Sequence, residues 1–191
     1  MSALRETRFI SLEDYLAIDR DSPERHEFRN GELFCKGGAQ PEHNAICLNL
    51  GSELRAQLRG GLCRAFPSDQ RVKVNAGSPY LYPDLSMACE SRFVVINGLR
   101  TLVNPVLVVE VMSPSTAEND RGAKFLQYQT ITSLRDYVLI DSTELAVLHY
   151  RKRPSCWEPR LIDRLDAELT LDDPAIAVSL AEIYLDTGLV S

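Results

Sequence analysis

A chain of 191 residues, 45% hydrophobic and 25% charged, has the balance of a globular domain, which excludes a disordered or fibrous chain. Its net charge of −6, from 27 acidic and 21 basic residues, gives no overall attraction for nucleic acid, so any phosphate contact must be local or carried by a metal ion. One domain over residues 1–191 is expected, burying roughly 70% of its unfolded surface and needing no disulfide or structural metal.

Cys35, Cys47, Cys63, Cys89 and Cys156 are scattered, with no CxxC pair and no zinc-finger spacing, and read as reduced core residues. The stretch MSALRETRFISLED lacks the apolar run of a signal peptide, and no apolar run approaches the ~20 residues of a membrane span. A cytoplasmic protein without membrane attachment is expected.

In chain order, Ser11 with Asp14 resembles a capping box and starts a short helix to about residue 19. Asn30-Gly31 lies between two half-apolar segments and predicts a two-residue hairpin. Ile46, Leu50, Leu54 and Leu58 stand four apart and predict a long helix over 41–59, stopped by Gly60-Gly61. LCRAF, QRVKVNA and YLYPDLSMACE read as three strands separated by SDQ and AGSP turns. PVLVVEVM is continuously apolar except for Glu110, as in a strand covered on both faces. SPSTAENDRGAKFLQYQTI carries a helix over 117–131, RDYVLID another buried strand, ELAVLHYRK and SCWEPRLID an antiparallel pair, and SLAEIYL a closing helix. The strand, helix, strand unit over 105–141 argues for an α/β or α+β fold with a mixed sheet and helices packed on it.

Glu110 is the residue out of place, because an unpaired buried carboxylate either shifts its pKa or acquires a cation. Alternation puts Glu110 on one face with Val108 and Met112, and Leu107, Val109 and Val111 on the other. Asp84, after Pro83, belongs at a strand edge or bulge. If the two strands are neighbours, the two acids converge, and oxygen-only ligation of this kind suits Mg2+. Lys124, on the following helix, can lay its stem along the helix–sheet seam and bring its ammonium to the same end. The plainer alternatives are a structural ion pair for Glu110, turn chemistry for Asp84 and an ordinary Asp120–Lys124 surface pair on one helix.

The blocks SPERHEFRNGELF, HN, FPSDQRVKV, YPDLSMAC, VLVVEVMSPST, DRGAKFLQYQ and LRDYVLID together resemble the Uma-two-type family, a branch of the PD-(D/E)xK nuclease superfamily. The resemblance implies a restriction-endonuclease-like core, a central mixed β-sheet flanked by helices, with a Mg2+- or Mn2+-dependent site cleaving DNA phosphodiester bonds. Its PD falls on Pro83-Asp84 and its (D/E)xK on Glu110-Val111-Met112, so Met112 stands where the motif lysine belongs and Lys124 is the replacement. Asp84, Glu110 and the Val111 carbonyl would hold the metal. Glu32 and His43 match further polar positions of the family and are expected to line the cleft, and Gln70 and Lys73, on the alternating strand, to contact substrate or water. Arg55, Arg59, Arg64, Arg71 and Lys73 form a candidate DNA-facing basic patch, with Arg151, Lys152 and Arg153 as a second cluster. One cleft per subunit implies a homodimer for cutting a duplex. The rival reading is a nuclease fold with a decayed metal site, kept as a nucleic-acid or protein binding module; Met112 favours it. A metal-dependent hydrolase of a smaller phosphate ester is a third.

Overall fold

In the computed structural model, which describes residues 9–75 and 79–190, the chain starts with helix α1, Leu12–Asp21. The Ser11 hydroxyl accepts the Asp14 backbone N–H at 3.0 Å and donates to the Asp14 carboxylate at 2.7 Å, satisfying one of the N–H groups a helix start leaves open. The whole MSALRETR stretch and most of the AGSP turn lie outside the described residues. The expected hairpin follows as β1, His26–Arg29, and β2, Glu32–Cys35. Asn30 and Gly31 have φ of 51° and 84°, the left-handed pair that a tight two-residue turn demands. Helix α2, Pro41–Gln57, buries Ile46, Leu50 and Leu54, the stripe that their spacing predicts.

Next come β3, Cys63–Pro67, and β4, Val72–Lys73. The segment YLYPDLSMACE departs from expectation. It forms two strands, β5, Tyr80–Leu81, and β6, Leu85–Cys89, which belong to different sheets. Pro83 between them has no N–H to give a ladder. β7, Phe93–Ile96, and β8, Leu99–Leu102, form a hairpin around Asn97-Gly98, both at positive φ. β9 is Leu107–Met112. Helix α3 follows in three continuous segments, Ala117–Asn119, a wider π-helical turn over Asp120–Lys124, and Phe125–Tyr128, ending three residues before the predicted 131. β10, Asp136–Asp141, β11, Val147–Lys152, and β12, Trp157–Ile162, precede a further hairpin of β13, Glu168–Asp172, and β14, Ala175–Ser179, and the short helix α4, Leu180–Ile183.

Two six-stranded mixed sheets result, ordered β2-β1-β5-β4-β8-β7 and β12-β11-β10-β9-β6-β3. The β9–α3–β10 unit is parallel, with Glu110 beside Leu139. Leu107, Val109 and Val111 face a core completed by α2, β13, β14 and α4, while Val108 and Met112 face a second core with Val72, Leu81 and Leu102 of the other sheet and Phe125 and Tyr128 of α3. Both faces of β9 are therefore covered, which is why its sequence shows no polar alternation.

Two expectations need correction. Cys63 and Cys89 stand opposite each other in the β3–β6 ladder and are disulfide-bonded, while Cys35 and Cys156 are exposed; strand adjacency across 26 residues leaves no mark in local sequence. Arg71 is no member of a surface patch. It is 1% exposed and donates to Asp19 at 2.8 Å, Thr101 at 3.0 Å and the Ile96 carbonyl at 3.0 Å, which ties α1 to the first sheet. The Tyr82 hydroxyl donates to the same Asp19 carboxylate at 2.7 Å, so the buried acid is fully engaged.

Candidate active site

The site begins with the break at Pro83. β6 and β9 pair antiparallel with Leu85 opposite Val109, so one step beyond the ladder brings Asp84 to the Glu110-Val111 peptide. The Val111 N–H donates to Asp84 Oδ2 at 2.8 Å. Lys36, just past the end of β2, donates to Asp84 Oδ1 at 2.8 Å and to the Tyr82 carbonyl at 2.7 Å. His43, in the first turn of α2, brings Nε2 to 3.3 Å from Asp84 Oδ2.

Glu110 enters from β9, and α3 packs back over it. The π-helical turn carries both Asp120 and Lys124, a widened winding that recurs at functional sites. Lys124 Nζ lies 3.0 Å from Glu110 Oε1, 3.1 Å from Glu27 Oε1 and 3.5 Å from Asp120 Oδ1. The Tyr128 hydroxyl donates to Glu110 Oε1 at 3.1 Å, and Glu27 accepts the Tyr82 N–H at 3.1 Å. Lys124 is 5% exposed, so its contact with Asp120 is part of a buried cluster and not the surface pair of the plainer reading.

Burial pushes Glu110 up to about 8, against the pull of Lys124 and Lys36 and with the help of the Asp84 and Asp120 charges. Burial acts in the same direction on Asp84, yet the His43 contact and the Lys36 ammonium outweigh it and hold Asp84 well below the usual carboxylate range. Burial also raises Asp120, with Lys124 opposing. Burial pulls Lys124 down, but Glu110, Glu27 and Asp120 outweigh it and keep the ammonium charged. Neighbouring acids thus titrate in opposite directions, the signature of environments tuned apart.

Glu27, Lys36, His43, Asp84, Glu110, Asp120 and Lys124 line one cleft of 810 Å3 together with Arg29, Asn119 and the Ser113–Thr116 loop. Glu27, Glu42, Asp84, Glu110 and Asp120 face Arg29, Lys36 and Lys124 in it, so the acids outnumber the fixed cations. Asp120 Oδ1 is buried and has no hydrogen-bond partner, with only the 3.5 Å ion-pair contact to Lys124. An all-oxygen donor set with surplus negative charge and an orphaned buried oxygen fits Mg2+ or Mn2+.

Of the residues singled out from sequence, Asp84, Glu110, Val111, Lys124 and His43 come together in this cleft. Glu32, Gln70 and Lys73 are not among its lining residues. Glu32 sits opposite Arg29 in the hairpin, and Lys73 holds its ammonium 6.0 Å from the Tyr80 ring. Gln70 donates to the Arg71 and Arg100 carbonyls beside a separate 570 Å3 pocket that Arg64 also lines. Glu27, Lys36 and Tyr128 went unread. Glu27 carried a usable signal, an acid flanking Phe28 in a strand, as Glu110 flanks valines. Lys36 carried none, because it reaches Asp84 only through the hairpin's placement.

Mixed sheets flanked by helices and closing on a buried acid cluster define a protein of the restriction-endonuclease-like fold class. A solved structure described as a putative nuclease belonging to DUF820, from Anabaena variabilis, shares this fold with a TM-score of 0.74 over 92% of this chain and 97% of that one, at 24% identity. The chain belongs to the Uma2 family, whose description is putative restriction endonuclease and which it matches over residues 12–181. Two Synechocystis sp. proteins are each 32% identical to it: slr1290, over 94% of this chain and 93% of its own length, and sll1609, over 80% and 86%. Among the described residues no helix is long and apolar enough to cross a membrane.

Proposed function

We propose that this chain is a metal-dependent endonuclease that hydrolyses DNA phosphodiester bonds. The observation that carries the reading is the meeting of Asp84, Glu110 and Lys124 in one cleft whose acids outnumber its cations. Asp84, Glu110 and the Val111 carbonyl would hold Mg2+ or Mn2+, which when bound supplies charge neutralisation at the scissile phosphate and an acidified water. The chain's own groups then have separate tasks. Glu110 accepts from Lys124 and Tyr128, which holds its carboxylate in one orientation facing the cleft. Lys124 takes the place of the motif lysine that Met112 leaves absent, orienting the attacking water and offsetting charge on the phosphate. Lys36 adds a second ammonium at the open side of Asp84. Arg55, Arg59 and Arg64 are exposed and remain candidates for the DNA-facing patch, with the acidic molecule steering DNA only through such local charge. A homodimer would place two clefts against the two strands of a duplex.

Nicking of supercoiled plasmid in Mg2+ or Mn2+ tests this directly. Wild type should relax the plasmid in metal and not in chelator, and Asp84→Asn and Glu110→Gln should each fall to background with folding intact by circular dichroism. Wild-type retention of DNA in a gel shift without metal-dependent nicking would instead support the binding-module reading that Met112 favours.

A further inference from the structure

A second group of metal-ligating side chains sits at the rim of the cleft, outside the carboxylate cluster. His26 opens β1 and Cys35 closes β2, and the two are direct partners across the antiparallel ladder. That pairing sets their side chains side by side on one face. Glu24 lies two residues before His26. One ligand atom from each of Glu24, His26 and Cys35 lies within 4.8 Å of the other two. The chain between them is held, since the Lys36 N–H donates to the Arg25 carbonyl at 2.9 Å and the His26 N–H donates to Asp19 at 3.2 Å.

Two features of this group point to a ligand. His26 is half-buried, and its Nδ1 atom is enclosed with no hydrogen-bond partner, a state that costs free energy unless something else satisfies the ring. The Cys35 thiol donates to Glu24 Oε2 at 3.1 Å, so a proton bridges sulfur and carboxylate where a cation would bridge them equally well. The donor chemistry differs from that of the main cleft. Carboxylates alone suit hard Mg2+, whereas sulfur, imidazole and one carboxylate suit zinc, whose sites often take three protein ligands and leave the fourth position to water.

We infer that Glu24, His26 and Cys35 form a zinc-binding site, distinct from the carboxylate cluster and independent of the nuclease reading. On binding, the zinc–sulfur bond replaces the S–H bond and the thiol proton leaves to solvent. The site would clamp the open end of the β1–β2 hairpin. Cys35 also lines the main cleft and directly precedes Lys36, so the clamp lies one residue from the ammonium on Asp84.

The test uses zinc alone in calorimetry and cobalt as its spectroscopic stand-in, in a Cys156→Ser background that removes the other exposed thiol. One thiolate-bound metal per chain is expected, marked by a cobalt–thiolate charge-transfer band, besides any ion taken up by the carboxylate cluster. Cys35→Ser should abolish the band, and both Cys35→Ser and His26→Ala should weaken zinc by more than about tenfold, the lower bound seen even for outer-shell partners of metal ligands. Asp84→Asn should leave the cobalt–thiolate band and the affinity read from it unchanged. Cys35 is exposed, so its serine variant should fold as wild type by circular dichroism, which keeps the comparison interpretable. Absence of the band in the parent protein, or a band that survives Cys35→Ser or disappears in Asp84→Asn, would overturn the inference.

Discussion

Lys124 and Lys36 serve acids of the same cleft under different conditions. Lys124 is 5% exposed and touches three carboxylates, whereas the Lys36 side chain is 25% exposed and touches one carboxylate and a backbone carbonyl. Desolvation makes the first lysine irreplaceable, since without it three buried acids would lose the one cation in contact with all of them. Partial solvent access makes the second less critical, although the carboxylate it serves is itself buried and keeps the Val111 N–H and His43 as partners. The closed half of the cleft therefore sets the geometry, and the open half leaves Asp84 available to an incoming cation.

Removing the closed-half cation should give the largest effect. Lys124→Met should lower stability by about 3–5 kcal/mol, the cost of breaking a buried pair by removing one partner, read from the urea midpoint. A loss under about 1 kcal/mol, as for an exposed pair, would erase the contrast between the two lysines.

The next effect is on pH dependence. Glu110 is raised in the folded state from 4.5 to about 8, so the folded protein binds this proton more tightly than the unfolded chain. The stability it contributes is complete below pH 4.5 and is lost as pH rises through about 8, following the usual proton linkage. The difference in unfolding free energy between wild type and Glu110→Gln should shrink over that window, and a difference independent of pH would mean that Glu110 is ionised throughout. Bound Mn2+ must displace the same proton, so wild-type affinity should climb as pH rises towards about 8 and level off above it, again by linkage.

Lys36→Met should act less on the fold than Lys124→Met, by about 1–3 kcal/mol for a buried carboxylate left with fewer partners, and most on the open half. With one positive charge removed from Asp84, Mn2+ should bind roughly tenfold tighter, equivalent to ~1.4 kcal/mol, and cleavage should not rise in proportion because the phosphate loses a counter-charge. Unchanged metal affinity would show that Lys36 does not contest Asp84.

Much of the closed half was legible in the sequence. A charge inside VLVVEVM announced that Glu110 has a partner, and its face was readable because strand alternation is local. Lys124 was recoverable because the helix after that strand must pack back over it. The Asn97-Gly98 hairpin was equally legible, with the same turn chemistry as Asn30-Gly31, and was passed over. The open half was hidden. Lys36 and His43 meet Asp84 through the relative placement of the β1–β2 hairpin and α2, which no periodicity encodes. The split of YLYPDLSMACE between two sheets was half visible, in Pro83, but which sheet each half joins is decided by tertiary pairing. The Cys63–Cys89 bond and the burial of Arg71 were invisible for the same reason, both depending on contacts between distant segments.

The most direct measurement is calorimetric titration of Mn2+ into wild type, Asp84→Asn and Glu110→Gln, with Cys35→Ser as the control outside the carboxylate cluster. One ion per chain in wild type and in Cys35→Ser, with binding lost in both acid variants, is the result predicted for a metal held where the two halves meet. No binding in wild type at millimolar metal, or equal binding in all four proteins, would contradict it.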